Sequence, residues 1–370
     1  MAVNTNALPM ALLKQTSRSF YLTLRVLPAT VRPQIGLAYL LARTTDTIAD
    51  TELIPLEQRL DALQKLRERI LGQKSAPLDF GAFTRAALLG PPAEQRLLEK
   101  VGDSLSQLQT LSPADLKLVR NVLTTIISGQ ELDLRRFASG RAGSPLPAAE
   151  ITCDTRRAGD CAPYQSNIIV LQTEAELDDY TYRVAGCVGG FWTKICRAHL
   201  FPKAGLDDEL LMANGIRFGK GLQLVNILRD LPADLRKGRC YLPTEKLGEA
   251  GLRPADLLSP SNEAKFLPFY HRYLDLAESH LAAGWAYTNS LPFGQARVRL
   301  ACAWPILIGI KTIERLRAAN VLDLQRGIKI SRGEVRQILL WSVLRYPFPN
   351  VWQRLFPTDR KAVASGQGLV

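Results

Sequence analysis

Four aspartates, in two copies of one spacing, are the residues of this chain most fit for chemistry. The first copy is Arg43-Thr-Thr-Asp46-Thr-Ile-Ala-Asp50. The second is Asn226-Ile-Leu-Arg229-Asp230-Leu-Pro232-Ala-Asp234, followed by Arg236, Lys237 and Arg239. Carboxylates four residues apart share one face of a helix. Two such faces brought together place four negative charges around one space, which is untenable without cations. Hard oxygen ligands at that density suit Mg²⁺, which takes one or two carboxylates from a protein and leaves its other positions to water and substrate phosphate. Arginines alongside would bind those phosphates. Asn226, one turn before Asp230, extends the second copy to a row of three oxygen ligands. The pattern predicts a metal-bridged diphosphate site with Asp46, Asp50, Asn226, Asp230 and Asp234 at the metal.

A single acidic pair would be weak evidence. With 35 acidic residues among 370, about three such pairs arise by chance, and the ordinary reading of one is a solvated helix face laced with ion pairs. The flanks speak against that reading here. Asp46 and Asp50 follow the apolar run 35–42, and Asp230 follows the apolar run 221–228. These carboxylates end interior helices, where charge requires a partner. Pro232 interrupts the second row. It removes one backbone hydrogen bond and is expected to kink or end the helix, leaving Asp234 the least secure of the four.

The elements that must position these residues read as helices. Helical periodicity covers 56–71, 94–111, 114–136, 174–198, 209–230, 265–289 and 297–319, with no series of alternating strands. Pro28, Pro33, the Pro91-Pro92 pair, Pro243 and Pro292 punctuate between them. The Gly-, Pro-, Ala- and Arg-rich stretch 139–164 breaks the pattern. A domain linker would fit it, but related motifs on both sides favour a surface excursion within one all-α domain. In the middle helix Gly186, Gly189 and Gly190 lie in an apolar run, at a cost of about 1 kcal/mol each relative to alanine. Either close helix packing compensates, or the wall is pared back to admit a long apolar ligand. Tyr180 and Tyr182, one turn earlier, fit both alternatives.

Hydrophobic residues make up 46% and charged residues 22% of the chain, which excludes disorder. A net charge of +12 admits nucleic acid, an anionic membrane surface or phosphorylated substrates as partners. The basic residues are dispersed and form no zinc-finger, RNA-binding or basic-block pattern, so no nucleic acid is expected. Six cysteines form no C-x-x-C; Cys187, Cys196 and Cys302 sit in apolar segments as buried thiols, in keeping with a reduced cytosol. The N-terminus lacks the basic and long apolar regions of a secretory signal, so none is expected, and no apolar run reaches the roughly 18 residues of a membrane span.

In this order, the motifs resemble the squalene/phytoene synthase family of head-to-head prenyl transferases. The match begins at Ser17-Arg-Ser19-Phe20 with Leu27-Pro28, then takes in Tyr39, Arg43 and the first aspartate copy. It continues through Gly129-Gln-Glu-Leu-Asp133-Leu, Tyr180 to Gly189, Gln223-Leu-Val-Asn226-Ile-Leu-Arg229-Asp230 and Gly238-Arg239-Cys-Tyr-Leu-Pro243, covering residues 14–245 well. The resemblance implies an all-α isoprenoid-synthase helical bundle with a central cavity. It implies a single domain over 1–370, with a core at 14–320 and a C-terminal helical extension and polar tail at 321–370. Asp46, Asp50, Asp230 and Asp234, with Asn226, would act on Mg²⁺. Ser17, Ser19, Arg43, Gln223, Asn226, Arg229 and Arg239 would hold a prenyl diphosphate substrate. Phe20, Tyr39, Val184, Ala185, Gly186 and Gly189 would line the cavity, and Tyr180 would serve ionisation and proton removal.

Within the family, Asp46-Thr-Ile-Ala-Asp50, Ala301-Cys-Ala-Trp-Pro305 and Gly327-Ile-Lys329-Ile-Ser-Arg332-Gly333 resemble squalene-type segments. That implies two farnesyl diphosphates joined through presqualene diphosphate and reduced by NADPH to squalene. Lys329 and Arg332 would then meet the cofactor phosphate, or stand as ordinary solvated basic residues. The second aspartate copy and Gly238 to Pro243 look phytoene-like, and Ala301 stands where squalene-type members carry an aromatic residue. Phytoene or dehydrosqualene synthesis without NADPH, or arrest at presqualene diphosphate, therefore stays open. A non-catalytic helical scaffold is the alternative of another class, and intact aspartates count against it. The stretch 339–356 mixes Trp, Phe and Arg as an interfacial segment does, with packing onto the core as the alternative. The expectation is a monomeric, bacterial, cytoplasmic enzyme, peripheral at the inner membrane face.

Overall fold

The computed structural model describes residues 10–16, 20–73, 78, 80–87, 92–138, 168–323 and 327–357, and they are helical almost throughout. The helices are α1 (Met10–Thr16), α2 (Phe20–Val26), α3 (Arg32–Asp50), α4 (Leu56–Leu71), α5 (Gly81–Ala87), α6 (Pro92–Glu99), α7 (Val101–Leu108) and α8 (Pro113–Ala138). After these come α9 (Glu174–Thr181), α10 (Cys187–Leu200), α11 (Asp208–Arg236), α12 (Thr244–Glu249), α13 (Glu263–Ser290), α14 (Ala296–Arg317), α15 (Arg332–Arg345) and α16 (Pro349–Gln353). Strands β1 (Ile169–Val170) and β2 (Arg239–Cys240) pair in parallel. Arg32 and Pro33 open α3, where a missing N–H costs nothing. Asp207 caps α11 by accepting from Leu210 N–H.

Three boundaries differ from the periodicity. The helix expected over 94–111 is broken at Lys100 into α6 and α7. The helix expected over 174–198 contains a π turn at Tyr182–Gly186, in which Cys187 N–H reaches back five residues to the Tyr182 carbonyl. The stretch 139–164 lies outside the described residues.

The third difference is a correction. Pro232 does not end its helix: α11 runs 29 residues, through the proline to Arg236. A proline leaves the carbonyl four residues earlier without its donor. Here that carbonyl belongs to Leu228, and the buried Tyr270 hydroxyl on α13 donates to it at 2.9 Å. Tyr270→Phe is expected to leave the carbonyl unsatisfied and cost about 1–3 kcal/mol of stability. In a Pro232→Ala background the new N–H takes over, so the same change should cost much less. Denaturant melts of the four proteins check this; equal losses in both backgrounds would sink the assignment.

Two hydrophobic clusters support the cavity region. One gathers Leu37, Leu40, Leu63 and Leu123 from α3, α4 and α8. The other gathers Leu228, Phe266, Tyr270 and Ile306 from α11, α13 and α14, and Phe218 packs against both. The C-terminal segment docks on the second cluster. Trp304 donates to the Ser342 hydroxyl at 2.9 Å, Trp352 donates to Asn289 at 2.8 Å, and Trp285 stacks on Trp352 with ring centroids 5.2 Å apart. Among the described residues no helix is long and apolar enough to cross a membrane.

Candidate active site

Both aspartate copies line one cavity of about 400 Å³. From α3 come Asp46, Ala49 and Asp50; from α8, Gln130, Asp133 and Leu134; from α9 and the π turn, Tyr180 and Val184. From α11 come Gln223, Asn226, Ile227, Asp230 and Asp234, and from the turn into β2, Lys237, Arg239 and Tyr241. The uninterrupted α11 makes Asn226, Asp230 and Asp234 one row down a single face. Left-handed Gly238, at φ +72°, then closes the helix and turns the chain into β2. Pairing with β1, through Ile169 N–H donating to the Gly238 carbonyl at 2.9 Å, fixes where Arg239 and Tyr241 stand.

Among the described residues the lining is strongly acidic: Asp46, Asp50, Asp133, Asp230 and Asp234 face only Lys237 and Arg239. Enclosure and the neighbouring Asp50 push Asp46 up to about 6, against the pull of Arg43 and Gln130, although 45% of its side chain is open to the cavity. Asp50 is raised by enclosure as well. Enclosure and Asp230 raise Asp234 to about 7, and enclosure raises Asp133 to about 6 despite Arg239 nearby. Asp230 accepts two hydrogen bonds from Arg229, at 2.9 and 2.6 Å. Gln130 Oε1, Asp133 Oδ1 and Arg239 Nε are buried without a hydrogen-bond partner in the structure. An acidic cavity in which Asp46, Asp50, Asp133 and Asp234 resist ionising, and in which three buried polar atoms lack partners, fits hydrated divalent cations and an anion. Among the described residues no three His, Cys, Asp or Glu groups cluster as a ready-made metal cage. Mg²⁺ needs none, since water and phosphate complete its shell.

Tyr180 is buried and stacks on Tyr241 with ring centroids 4.8 Å apart, and Tyr241 donates to Asp133 at 3.2 Å. Burial, with the charges of Asp133, Asp234 and Asp46 around it, holds the Tyr180 phenol far above its usual range, so the hydroxyl keeps its proton. Carboxylates from α3, α8 and α11 thus act on one phenol.

Other expected residues lie elsewhere. Arg43 pairs with Asp46 at 3.7 Å and Glu94 at 3.0 Å, and Arg229 binds Asp230; each sits beside its aspartate without lining the cavity. Tyr39 donates to the Thr16 carbonyl at 3.3 Å and packs against the first core cluster. Close helix packing accounts for Gly186 and Gly189. A Cβ on Gly189 would stand 1.9 Å from the Gly215 carbonyl oxygen, one on Gly219 would stand 2.2 Å from the Ala185 carbonyl oxygen, and one on Gly186 would meet Lys220 and Ile216. These contacts join α10 and the π turn to α11, and Ala185, Gly186 and Gly189 are not among the residues that line the acidic cavity. Tyr182 is 39% exposed under Lys220. Lys329 and Arg332 are exposed at the start of α15. Ser17 and Ser19 lie outside the described residues, as does the side chain of Phe20.

Four polar lining residues were not among the site residues expected from the sequence: Gln130, Asp133, Lys237 and Tyr241. Gln130 and Asp133 share a face of α8 at i, i+3, and both sit in the matched block Gly129 to Leu134, which was the available signal. Tyr241 stood two residues beyond Arg239 in another matched block.

A family profile described as squalene/phytoene synthase matches residues 13–334. The squalene synthase of Schizosaccharomyces pombe is 26% identical over 343 residues, covering 90% of this chain; the chain spans 64% of that relative, just under two thirds of its length. The presqualene diphosphate synthase of Zymomonas mobilis is 28% identical over 334 residues, covering 89% of each. The solved complex of TcSQS with a ligand shares the fold, with a TM-score of 0.68 at 20% identity over 96% of this chain and 92% of that one. The chain belongs to the squalene/phytoene synthase family of prenyl transferases.

Proposed function

We propose that this protein joins two farnesyl diphosphates head to head, with loss of one diphosphate and one proton, to give presqualene diphosphate. The observation that carries the reading is the single acidic cavity into which α3 and α11 each present an aspartate pair, with Tyr180 between them. Asp46 and Asp50 on one side, and Asn226, Asp230 and Asp234 on the other, would hold Mg²⁺. When bound, that ion neutralises the departing diphosphate and lowers the barrier to ionisation. Lys237, Arg239 and Gln223 bind diphosphate oxygens directly. The neutral Tyr180 hydroxyl, backed by Tyr241 and Asp133, offers an oxygen and a ring face to the allylic cation. Asp133, held near 6, accepts the released proton through Tyr241.

Lys329 and Arg332 stand on the surface, away from the cavity, so no reductive step is assigned to them. Incubating the full chain with Mg²⁺ and farnesyl diphosphate, with and without NADPH, and identifying products by mass spectrometry tests the reading. Presqualene diphosphate in both arms supports condensation alone, and squalene only with NADPH extends it to the squalene-type reaction. Dehydrosqualene in both arms, or reaction only with a C20 substrate, replaces it with the phytoene-type reading. No diphosphate release from any prenyl substrate removes the enzymatic reading altogether.

A further inference from the structure

The C-terminal segment is half packed and half bare. Within 332–356 the buried residues are Ser342, Tyr346, Trp352 and Phe356, while Leu340 is 57%, Trp341 49%, Val343 48%, Leu344 52%, Phe348 61% and Val351 42% exposed. At 3.6 residues per turn, Val343, Leu340, Leu344 and Trp341 fall within an arc of about 160° on α15. Ser342, bonded to Trp304 of the core, faces the other way. The bare arc is therefore the face left over after the helix has docked. Contiguous exposed apolar surface of this kind marks an interaction site.

Its charge says what kind. Arg332, Arg336, Arg345 and Arg354 stand against one acid, Glu334, a net +3 over 332–356. Glu334 is itself taken by Arg315 at 2.6 Å. Arg336, Arg345 and Arg354 make no ion pair among the described residues. Arg345 lies 5.2 Å over the Trp341 ring, and it borders a groove of about 360 Å³ between α14 and α15 together with Trp341 and Arg354. Bare Leu, Val and Phe beside Trp and unpaired Arg is the composition of a segment lying at the headgroup boundary. A second copy would bring two +3 faces together, which repel, whereas an anionic surface attracts them.

We propose that the exposed face of α15 and α16 docks on an anionic phospholipid bilayer, with Leu340, Trp341 and Phe348 entering the acyl boundary and Arg336 and Arg354 meeting lipid phosphates. The docking is independent of the cavity chemistry, because none of these residues lines the cavity that holds the aspartates.

Co-sedimentation of the full chain with phosphatidylcholine vesicles, with and without phosphatidylglycerol, tests it. The wild type should sediment with the anionic vesicles and release as salt rises. The combined change Leu340→Ser, Trp341→Ser and Phe348→Ser should lower partitioning at least about tenfold, since each side chain alone is worth that much when buried. The pair Arg336→Ser and Arg354→Ser should weaken anionic binding about 25-fold, at about fivefold per arginine. Melting temperature and diphosphate release from soluble substrate should match wild type in both. If the triple variant does not fold, the arginine pair decides alone. Wild type that stays in the supernatant would overturn the proposal, as would variants that sediment like wild type. A vesicle-indifferent dimer in gel filtration, split by the triple variant, would do the same by making a second copy the occupant.

Discussion

Asp46→Asn and Asp234→Asn are each expected to lower Mg²⁺-dependent diphosphate release from farnesyl diphosphate by about 10²-fold or more, the scale of losing one preorganised charge that stabilises a developing anion. The same changes are expected to leave the fold as stable or more so. In the folded chain Asp46 is held up at about 6 and Asp234 at about 7, from 3.8. Between those values the folded state keeps a proton that the unfolded state has lost, so stability falls as pH rises from about 4 to 7. The cost stands at its full size above that window. Asparagine removes it. At pH 7.5 both variants should therefore melt no lower than wild type, and any gain should shrink toward zero as the pH falls to 4. A helical scaffold with no chemistry gives the opposite pattern, with turnover unaffected or absent throughout and melting lowered by the lost contacts. Kinetics at saturating Mg²⁺ alongside melts at both pH values separate the two. Near-wild-type turnover in both variants would take the aspartates out of the reaction.

Gly189→Ala is the second large effect. Its Cβ would stand 1.9 Å from the Gly215 carbonyl oxygen, and 2.6 Å from the carbon behind it. Both atoms are backbone of α11, so no side chain can swing aside and the helices themselves must part. Overpacking a core costs about 1–3 kcal/mol where side chains can give way, and this position should exceed that range. Because α11 carries Asn226, Asp230 and Asp234, the same displacement pulls the metal row away from Tyr180, and turnover should fall with stability. Gly102→Ala is the control: on the exposed face of α7 nothing lies within 4 Å of its Cβ, and helix propensity alone should stabilise it by up to about 1 kcal/mol. A Gly189→Ala protein that melts and turns over like wild type would contradict the close crossing.

The parts of this site that could be read from the sequence are those carried by regular helices. Asp46 with Asp50, and Asn226 with Asp230, each lie one helical turn apart, so spacing alone set their faces. The long helices read true for the same reason; α4 spans Leu56–Leu71, the whole of its periodic run. What failed depended on partners distant in the chain. Pro232 looked like a helix end because a lone strand of sequence does not show Tyr270, 38 positions on, supplying the missing donor. The glycines at 186 and 189 admitted a cavity wall or a helix crossing, and only the approach of Gly215 and Gly219 reveals the crossing. Asp133 sat in a matched block, but nothing local to α8 reveals that Tyr241 and Arg239 come to face it.

The π turn at Tyr182–Gly186 carries a last consequence. It slips one additional residue between the tyrosine that looks into the chamber and the glycine that grips the neighbouring helix. An even α spiral would throw those two about 100° out of phase with each other. Excising a single residue there would force a choice between aiming the phenol and keeping the grip, whereas swapping its side chains need not. In that stretch the headcount matters more than the lettering.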